Sequence, residues 1–221
     1  MKNIAVLIPA LNASTTIGPL IASIASYLPS ENIIVVDDGS TDETAAIAAS
    51  AGATVLKHAT NIGKGAALRT GFESLLQTSF AAVITMDADL QHPSEHIPRL
   101  IELFASGRYD VIIGSRLHNT KGMPLHRVLS NTITTFLVSA RTSQEIADSQ
   151  SGYRLISRGV LEAVKHRSNG FEAETEFIIK AAAHGFRFGF VPIETIYAGE
   201  KSHMTNFATT VNFVKVLFQD Y

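Results

Sequence analysis

The chain has 221 residues, 46% of them hydrophobic and 17% charged, which provides enough apolar material for one domain with a sizeable core. A formal net charge of −2 and a pI near 6.4 argue against a broad basic surface while leaving room for a local basic pocket, so nucleic acid is not an expected partner. The absence of cysteine excludes disulfides, thiol catalysis and cysteine metal sites, and it suits a reducing compartment.

The first apolar run, Ile4–Ile8, ends at Pro9 and is too short for a secretory signal. Ser14–Leu28 follows with Ile17, Leu20, Ile21, Ile24 and Leu28 on one helical face. Ile33–Val36 is a second β-branched run, closed by Asp37, Asp38 and Gly39. An Ala-rich helix is expected over Thr41–Ser50, with Asp42 and Glu43 placed favourably in its first turn. Thr54–Lys57 reads as a weaker strand, Gly65–Leu76 as a helix, Ala82–Met86 as a strand and Ser94–Phe104 as a helix. Val111–Ile113 is the next strand, ending at Gly114. Short apolar strands alternating with helices predict a doubly wound α/β fold, a mostly parallel sheet with helices on both faces.

The second half is less regular. Pro124–Ala140 and Glu172–His184 read as helices, Arg187–Val191 and Glu194–Tyr197 as short strands hinged at Pro192. Phe207, Val211, Val214 and Phe218 stand at helical spacing in the tail. With no repeat or long linker, a single domain over residues 1–221 is the economical reading. No segment approaches the ~18 apolar residues of a membrane span, so a soluble cytoplasmic protein, at most peripheral to a membrane, is expected.

In open α/β sheets, ligands bind beyond the carboxyl ends of the strands. Two acidic clusters stand there, Asp37-Asp38-Gly39-Ser40-Thr41-Asp42 and Asp87-Ala88-Asp89-Leu90-Gln91. Asp38, Ser40 and Thr41 also suit helix caps. Asp87 and Asp89 are harder to explain that way, because two carboxylates in three residues repel unless a cation or donor offsets them. With Gln91 they offer hard oxygens suited to Mg²⁺ or Mn²⁺, which also bind phosphate. Lys64, between Gly63 and Gly65, reads as an anion-favouring helix start; by itself, a turn with a solvated lysine is the stronger reading. Arg116, Arg127 and Arg154 are either surface residues or a set that grips phosphate bidentately.

The ordered set of motifs resembles the family-two glycosyltransferases of the GT-A fold. Within them it is most similar to the dolichyl-phosphate mannosyltransferase branch and its bacterial polyprenyl-phosphate relatives. The matching stretches are Ile8-Pro9-Ala10-Leu11-Asn12, Val36-Asp37-Asp38-Gly39-Ser40-Thr41-Asp42, Asn61-Ile62-Gly63-Lys64-Gly65 and Met86-Asp87-Ala88-Asp89-Leu90-Gln91-His92-Pro93. Further along come Gly114-Ser115-Arg116, Asp148-Ser149-Gln150-Ser151-Gly152-Tyr153-Arg154, Phe171-Glu172-Ala173-Glu174-Thr175-Glu176, Val191-Pro192-Ile193, Tyr197 and Glu200-Lys201-Ser202.

The resemblance implies an inverting transfer of a sugar from a nucleotide-sugar donor, of the GDP-mannose or UDP-glucose type, to a polyprenyl or dolichyl phosphate. It divides the chain into a nucleotide-binding half, residues 1–115, and an acceptor-binding half, residues 116–221. Pro9, Ala10, Asn12, Asp37 and Asp38 would line the nucleotide pocket, with Asp38 near the base or ribose. Lys64, Ala88 and Lys201 would join the donor site. Asp87, Asp89 and Gln91 would hold the metal, while Arg116, Arg127 and Asn131 would take the acceptor phosphate. Asp148 falls where inverting members place the acceptor-activating carboxylate, so Asp148, Asp89 and Arg116 are the expected catalytic set. Ala13 replaces a usual acidic residue and Leu11 a common aromatic, and the C-terminal transmembrane helices of many relatives are not expected from these residues.

A phosphate acceptor, with a second pKa of ~6, is largely ionised at neutral pH and needs no strong base. A hydroxyl acceptor would need Asp148 to take its proton. A soluble enzyme acting on a hydroxyl is the alternative, ahead of a catalytically silent nucleotide-sugar-binding protein and a nucleotidyltransferase. A lipid acceptor implies peripheral attachment at the inner membrane face, through Pro124–Ala140 and the tail or through a membrane-protein partner.

Overall fold

The computed structural model describes residues 3–118, 120, 122–194, 207–219 and 221. The strands are β1 (Ile4–Ala10), β2 (Ile33–Asp37), β3 (Thr54–Lys57), β4 (Ala82–Thr85), β5 (Val111–Ser115), β6 (Arg154–Ser157) and β7 (Phe188–Pro192). The helices are α1 (Ile17–Ala25), α2 (Thr44–Ser50), α3 (Lys64–Leu76), α4 (Ile97–Ala105), α5 (Leu125–Thr142), α6 (Arg158–Ala163), α7 (Ala173–Ala183) and α8 (Phe207–Phe218). Among the described residues the strands form one sheet in the order β3-β2-β1-β4-β6-β5-β7.

Side chains alternate across a strand, and β1 shows what that does to the core. Ile4, Val6 and Ile8 pack on one face against Ile17, Leu20, Ile21 and Ile24 of α1 and Ile97 and Leu100 of α4. Ala5 and Leu7 point the other way, into the cluster holding Leu68 and Phe72 of α3 and Phe177 and Ile178 of α7. The central strands are buried on both faces, hence their near-continuous apolar sequences.

The doubly wound, mostly parallel architecture is the observed one, with one reversal. Strand β6 lies between β4 and β5 and is antiparallel to both. The other pairings are parallel: β1 with β2 and β4, β2 with β3, and β5 with β7. Neither β6 nor α6 is expected from the sequence. Helix α2 starts at Thr44, later than Thr41, because Asp42 stays outside it and accepts the Thr44 N–H at 3.0 Å. Beyond Pro192 the expected second strand is absent at Glu194, and its remaining residues, 195–197, lie outside the described residues, as do Glu200, Lys201 and Ser202. No helix among the described residues is long and apolar enough to cross a membrane.

Candidate active site

The loops after β1 and β2 are fastened to each other. The Asp38 N–H donates to the Ala10 carbonyl at 2.8 Å. Asn12, in the left-handed region at φ 51°, donates its N–H to Ser40 Oγ at 2.9 Å and accepts the Thr41 N–H on Oδ1 at 2.9 Å. Asp42 Oδ2 accepts the Ser14 N–H at 3.1 Å. Pro9 is half-buried, Ala10 buried, and Leu11 and Asn12 exposed, so this double loop forms an open ledge at the carboxyl edge of the sheet.

Asp37 and Asp38 are buried beneath that ledge. Asp37 Oδ1 accepts the Ser40 N–H at 3.0 Å. Asp38 Oδ1 accepts the Ile62 N–H at 3.0 Å and contacts His58 Nδ1 at 2.6 Å, while its Oδ2 accepts the Gly63 N–H at 2.7 Å. The carboxylate expected to face a base or ribose therefore anchors the segment from His58 to Gly63. Gly63 has φ 120° and a Cβ there would run into the Asn169 carbonyl, so only glycine suits the position. That turn delivers Lys64, the first residue of α3.

Lys64 Nζ lies 2.6 Å from Asp87 Oδ1 and 3.1 Å from Glu174 Oε2, with its side chain mostly buried. Burial would lower the lysine pKa, but Asp87 and Glu174 outweigh it and raise the value above the usual lysine range. Burial would raise Asp87, yet Lys64, with smaller help from His92 and Arg116, holds that carboxyl below the usual range. The second oxygen, Oδ2, faces Gly152, where a Cβ would stand only 2.7 Å away. Asp89, half-buried two residues on, accepts the Gln91 N–H at 3.0 Å; Leu90 between them is left-handed at φ 60°. Ala88 and Gln91 are also half-buried.

Arg154 departs from the phosphate-gripping reading. It is buried, and its guanidinium donates to the carbonyls of Ser151 at 2.7 Å, Glu174 at 2.9 Å and Ser149 at 3.1 Å. It thereby ties the loop carrying Asp148 and Gly152 to the first turn of α7. Glu174, Gly152 and His92 complete the surroundings of Asp87; all three lie in the matching stretches, but sequence reasoning assigns none of them a role. His92 stacks on Tyr153 with centroids 5.6 Å apart, and burial pushes its pKa down to about 4.

Arg116 and Asp148 form one unit. Asp148, with no exposed surface, accepts from Arg116 Nε at 2.8 Å, Nη2 at 3.0 Å and N at 3.1 Å, and from the Gln150 N–H at 3.1 Å. Burial alone would raise its pKa, but the Arg116 bonds prevail and hold it below the usual carboxylate range. Arg127 and Asn131 occupy the first two turns of α5, both half-buried, with Asn131 Nδ2 3.9 Å from Met123 Sδ.

Residues 5–165 match the family described as Glycosyl transferase family 2. An uncharacterised protein of Methanocaldococcus jannaschii is 35% identical over 97% of this chain and 89% of its own length. A UDP-N-acetylglucosamine–dolichyl-phosphate N-acetylglucosaminyltransferase of Methanococcus voltae is 29% identical over 89% of this chain and 86% of its own. Among solved structures, glucosyl-3-phosphoglycerate synthase from Mycobacterium tuberculosis, in complex with Mn²⁺, UDP and glucosyl-3-phosphoglycerate, superposes with a TM-score of 0.79. That match covers 98% of this chain and 78% of the other at 22% identity, and it establishes a shared GT-A fold. With the family model matched over residues 5–165 and a 35% identical relative aligned over 97% of it, this chain belongs to glycosyl transferase family 2.

Proposed function

We propose that this glycosyltransferase moves a sugar, with inversion, from a nucleotide-sugar donor of the GDP-mannose or UDP-glucose type to a polyprenyl or dolichyl phosphate at the cytoplasmic membrane surface. Residues 1–115 hold the donor, with Pro9, Ala10 and Asn12 on the ledge and Asp37 and Asp38 fixing its shape from below. Residues 116–221 receive the acceptor.

The observation that carries the acceptor class is the sealed Asp148. It is fully buried and takes four hydrogen bonds, so it is poorly placed to remove a hydroxyl proton. A phosphate nucleophile needs no such base. On this reading Asp148 positions Arg116, and Arg116, Arg127 and Asn131 hold the acceptor phosphate in line with the sugar, positioning being a large part of the rate. The name of the Methanococcus voltae relative, a transferase to dolichyl phosphate, supports the same class.

The residues fit a Mg²⁺ or Mn²⁺ ion held jointly with the diphosphate. Among the described residues no three His, Asp or Glu side chains gather into a complete cage. Asp87 and Asp89 offer hard oxygens, Gln91 another, and Gly152 keeps the space beside Asp87 clear. When bound, such an ion offsets the charge that builds on the departing diphosphate. Lys64 adds a fixed positive charge at the same place. The outer face of α5 exposes Leu125, Leu129, Ile133 and Phe136, which suits peripheral contact with a bilayer carrying the acceptor.

The test is a transfer panel of GDP- and UDP-sugars with Mn²⁺ or Mg²⁺, with and without a polyprenyl phosphate. Metal-dependent formation of a glycosyl-phosphoryl lipid is expected, and Asp89→Ala should abolish it with the fold intact. Transfer to hydroxyl acceptors alone would replace this reading.

A further inference from the structure

We propose that Lys64 makes binding of a divalent cation at Asp87 conditional on the nucleotide diphosphate; this rests on the donor reading above. The ammonium already occupies Asp87 Oδ1 at 2.6 Å and reaches Glu174 at 3.1 Å, so one internal cation bridges two carboxylates from different elements. Its place is built into the fold. Asp38 holds Gly63 in front of it, and the Gly65 N–H behind it donates to the Asn169 carbonyl at 2.6 Å. Phe171 lies beside it with the ring centroid 5.8 Å from Nζ.

A divalent ion at Asp87 thus shares that carboxylate with a resident positive charge. The two cations repel at close range, and the partial burial of both side chains weakens the screening by water. Taken alone, the ion gains Asp89, Gln91 and a half-occupied Asp87, and incurs this repulsion without the diphosphate oxygens to offset it. The diphosphate reverses the balance, because its oxygens can face the ion and the ammonium together. Glu174 gives Lys64 a second partner while Asp87 turns to the ion. Metal and nucleotide then bind with positive cooperativity, and by linkage each tightens the other by the same factor. The ion arrives and leaves with the nucleotide, and the empty enzyme carries Lys64 in its place.

The experiment measures Mn²⁺ affinity by electron paramagnetic resonance of the free ion, with and without UDP or GDP. It uses the full chain and its Lys64→Met, Lys64→Gln and Lys64→Arg variants, with fold checked by circular dichroism. In the native chain, UDP or GDP should tighten Mn²⁺ by at least about tenfold. Lys64→Met and Lys64→Gln should bind Mn²⁺ alone about tenfold more tightly and lose most of the nucleotide enhancement; Lys64→Arg should keep it. Lys64→Gln keeps a polar, uncharged side chain at the position and serves if Lys64→Met fails to fold. An enhancement unchanged in the neutral variants overturns the role of Lys64 and leaves the donor reading standing. Loss of the enhancement in Lys64→Arg as well assigns the effect to packing and also overturns it. A native chain that binds neither nucleotide with Mn²⁺ overturns both.

Discussion

The Arg116–Asp148 unit shows what single residues contribute. Four donors surround a carboxylate with no exposed surface, leaving it a structural partner of the guanidinium. Removing either member strands the other, which costs more than the pair is worth. A double-mutant cycle on acceptor kinetics checks this. Arg116→Ala and Asp148→Ala should each lower kcat/KM for the lipid phosphate by about a hundredfold, the double variant falling little further, because one unit is lost once. Donor KM should stay within about twofold of the native value, an allowance for experimental scatter in such comparisons. Additive losses would mean that Asp148 acts independently of Arg116. The sequence carried both residue types and their chemistry, yet assigned them separate tasks. Their partnership spans 32 positions and exists because β5 and β6 are neighbours in the sheet. The same blindness applies to Asp38, whose oxygens turn to His58, Ile62 and Gly63, and to Lys64, whose partner Glu174 is 110 positions away. Spacing along a chain reveals ligand types; distance across a sheet decides which of them meet.

Elements were legible where their burial was uniform. β1, β2 and β4 are apolar because both faces are covered, and each could be read from its own residues. β6 could not. It has four residues beginning with Arg154, and Leu155 and Ile156 enter opposite core clusters because β4 and β5 flank the strand. Helix α5 misleads in another way. Its periodicity is real, but the large apolar side chains face outward: Leu125 is 83% exposed and Phe136 71%, while Thr135 and Val138 are buried. Neither α5 nor α8 contains Asp or Glu, and between them they carry Arg127, Arg141 and Lys215, in a chain of net charge −2. Arg141 ties the two helices through the carbonyls of Leu217 and Gln219, each at 3.2 Å. An acid-free face with exposed leucine and phenylalanine suits an anionic bilayer. Burying one such side chain stabilises by ~1.5–3 kcal/mol, so Leu129→Glu with Phe136→Glu should reduce vesicle affinity by at least about a hundredfold. Co-sedimentation with anionic vesicles containing polyprenyl phosphate measures it, and thermal unfolding should hardly move because both positions are exposed. Undiminished sedimentation would remove α5 from the membrane contact.

At the scale of the whole molecule, the fold is tied to pH through groups buried in one protonation state. His92 is 5% exposed, and burial lowers its pKa from 6.5 to about 4, with Asp87 opposing. His96 and His166 are shifted in the same direction, also chiefly by burial. A depressed histidine is neutral in the fold but takes up a proton in the unfolded chain as pH falls below about 6.5. The unfolded state therefore binds more protons between pH 6.5 and 4, and stability declines as pH falls through that window. For His92 alone the loss is at most ~3 kcal/mol, from 1.36 kcal/mol per pKa unit. Glu176 acts lower on the scale. Burial would raise its pKa, but Lys180 and the N–H groups of Arg167 and Ser168 bring it down to about 2. Its contribution is complete above about pH 4.5 and disappears as pH falls through about 2. Urea unfolding should consequently give a plateau near pH 7, a first decline from 6.5 to 4, and a steeper one below. His92→Gln should flatten the first decline and leave the second unchanged, since Glu176 belongs to α7 and its bonds do not involve His92. An unaltered slope between pH 6.5 and 4 would remove His92 from the account and place the acid sensitivity on His96 and His166. Because His92 follows Gln91 and stacks on Tyr153 beside Gly152, a slope that does flatten would link acid stability to the packing behind the Asp87 site.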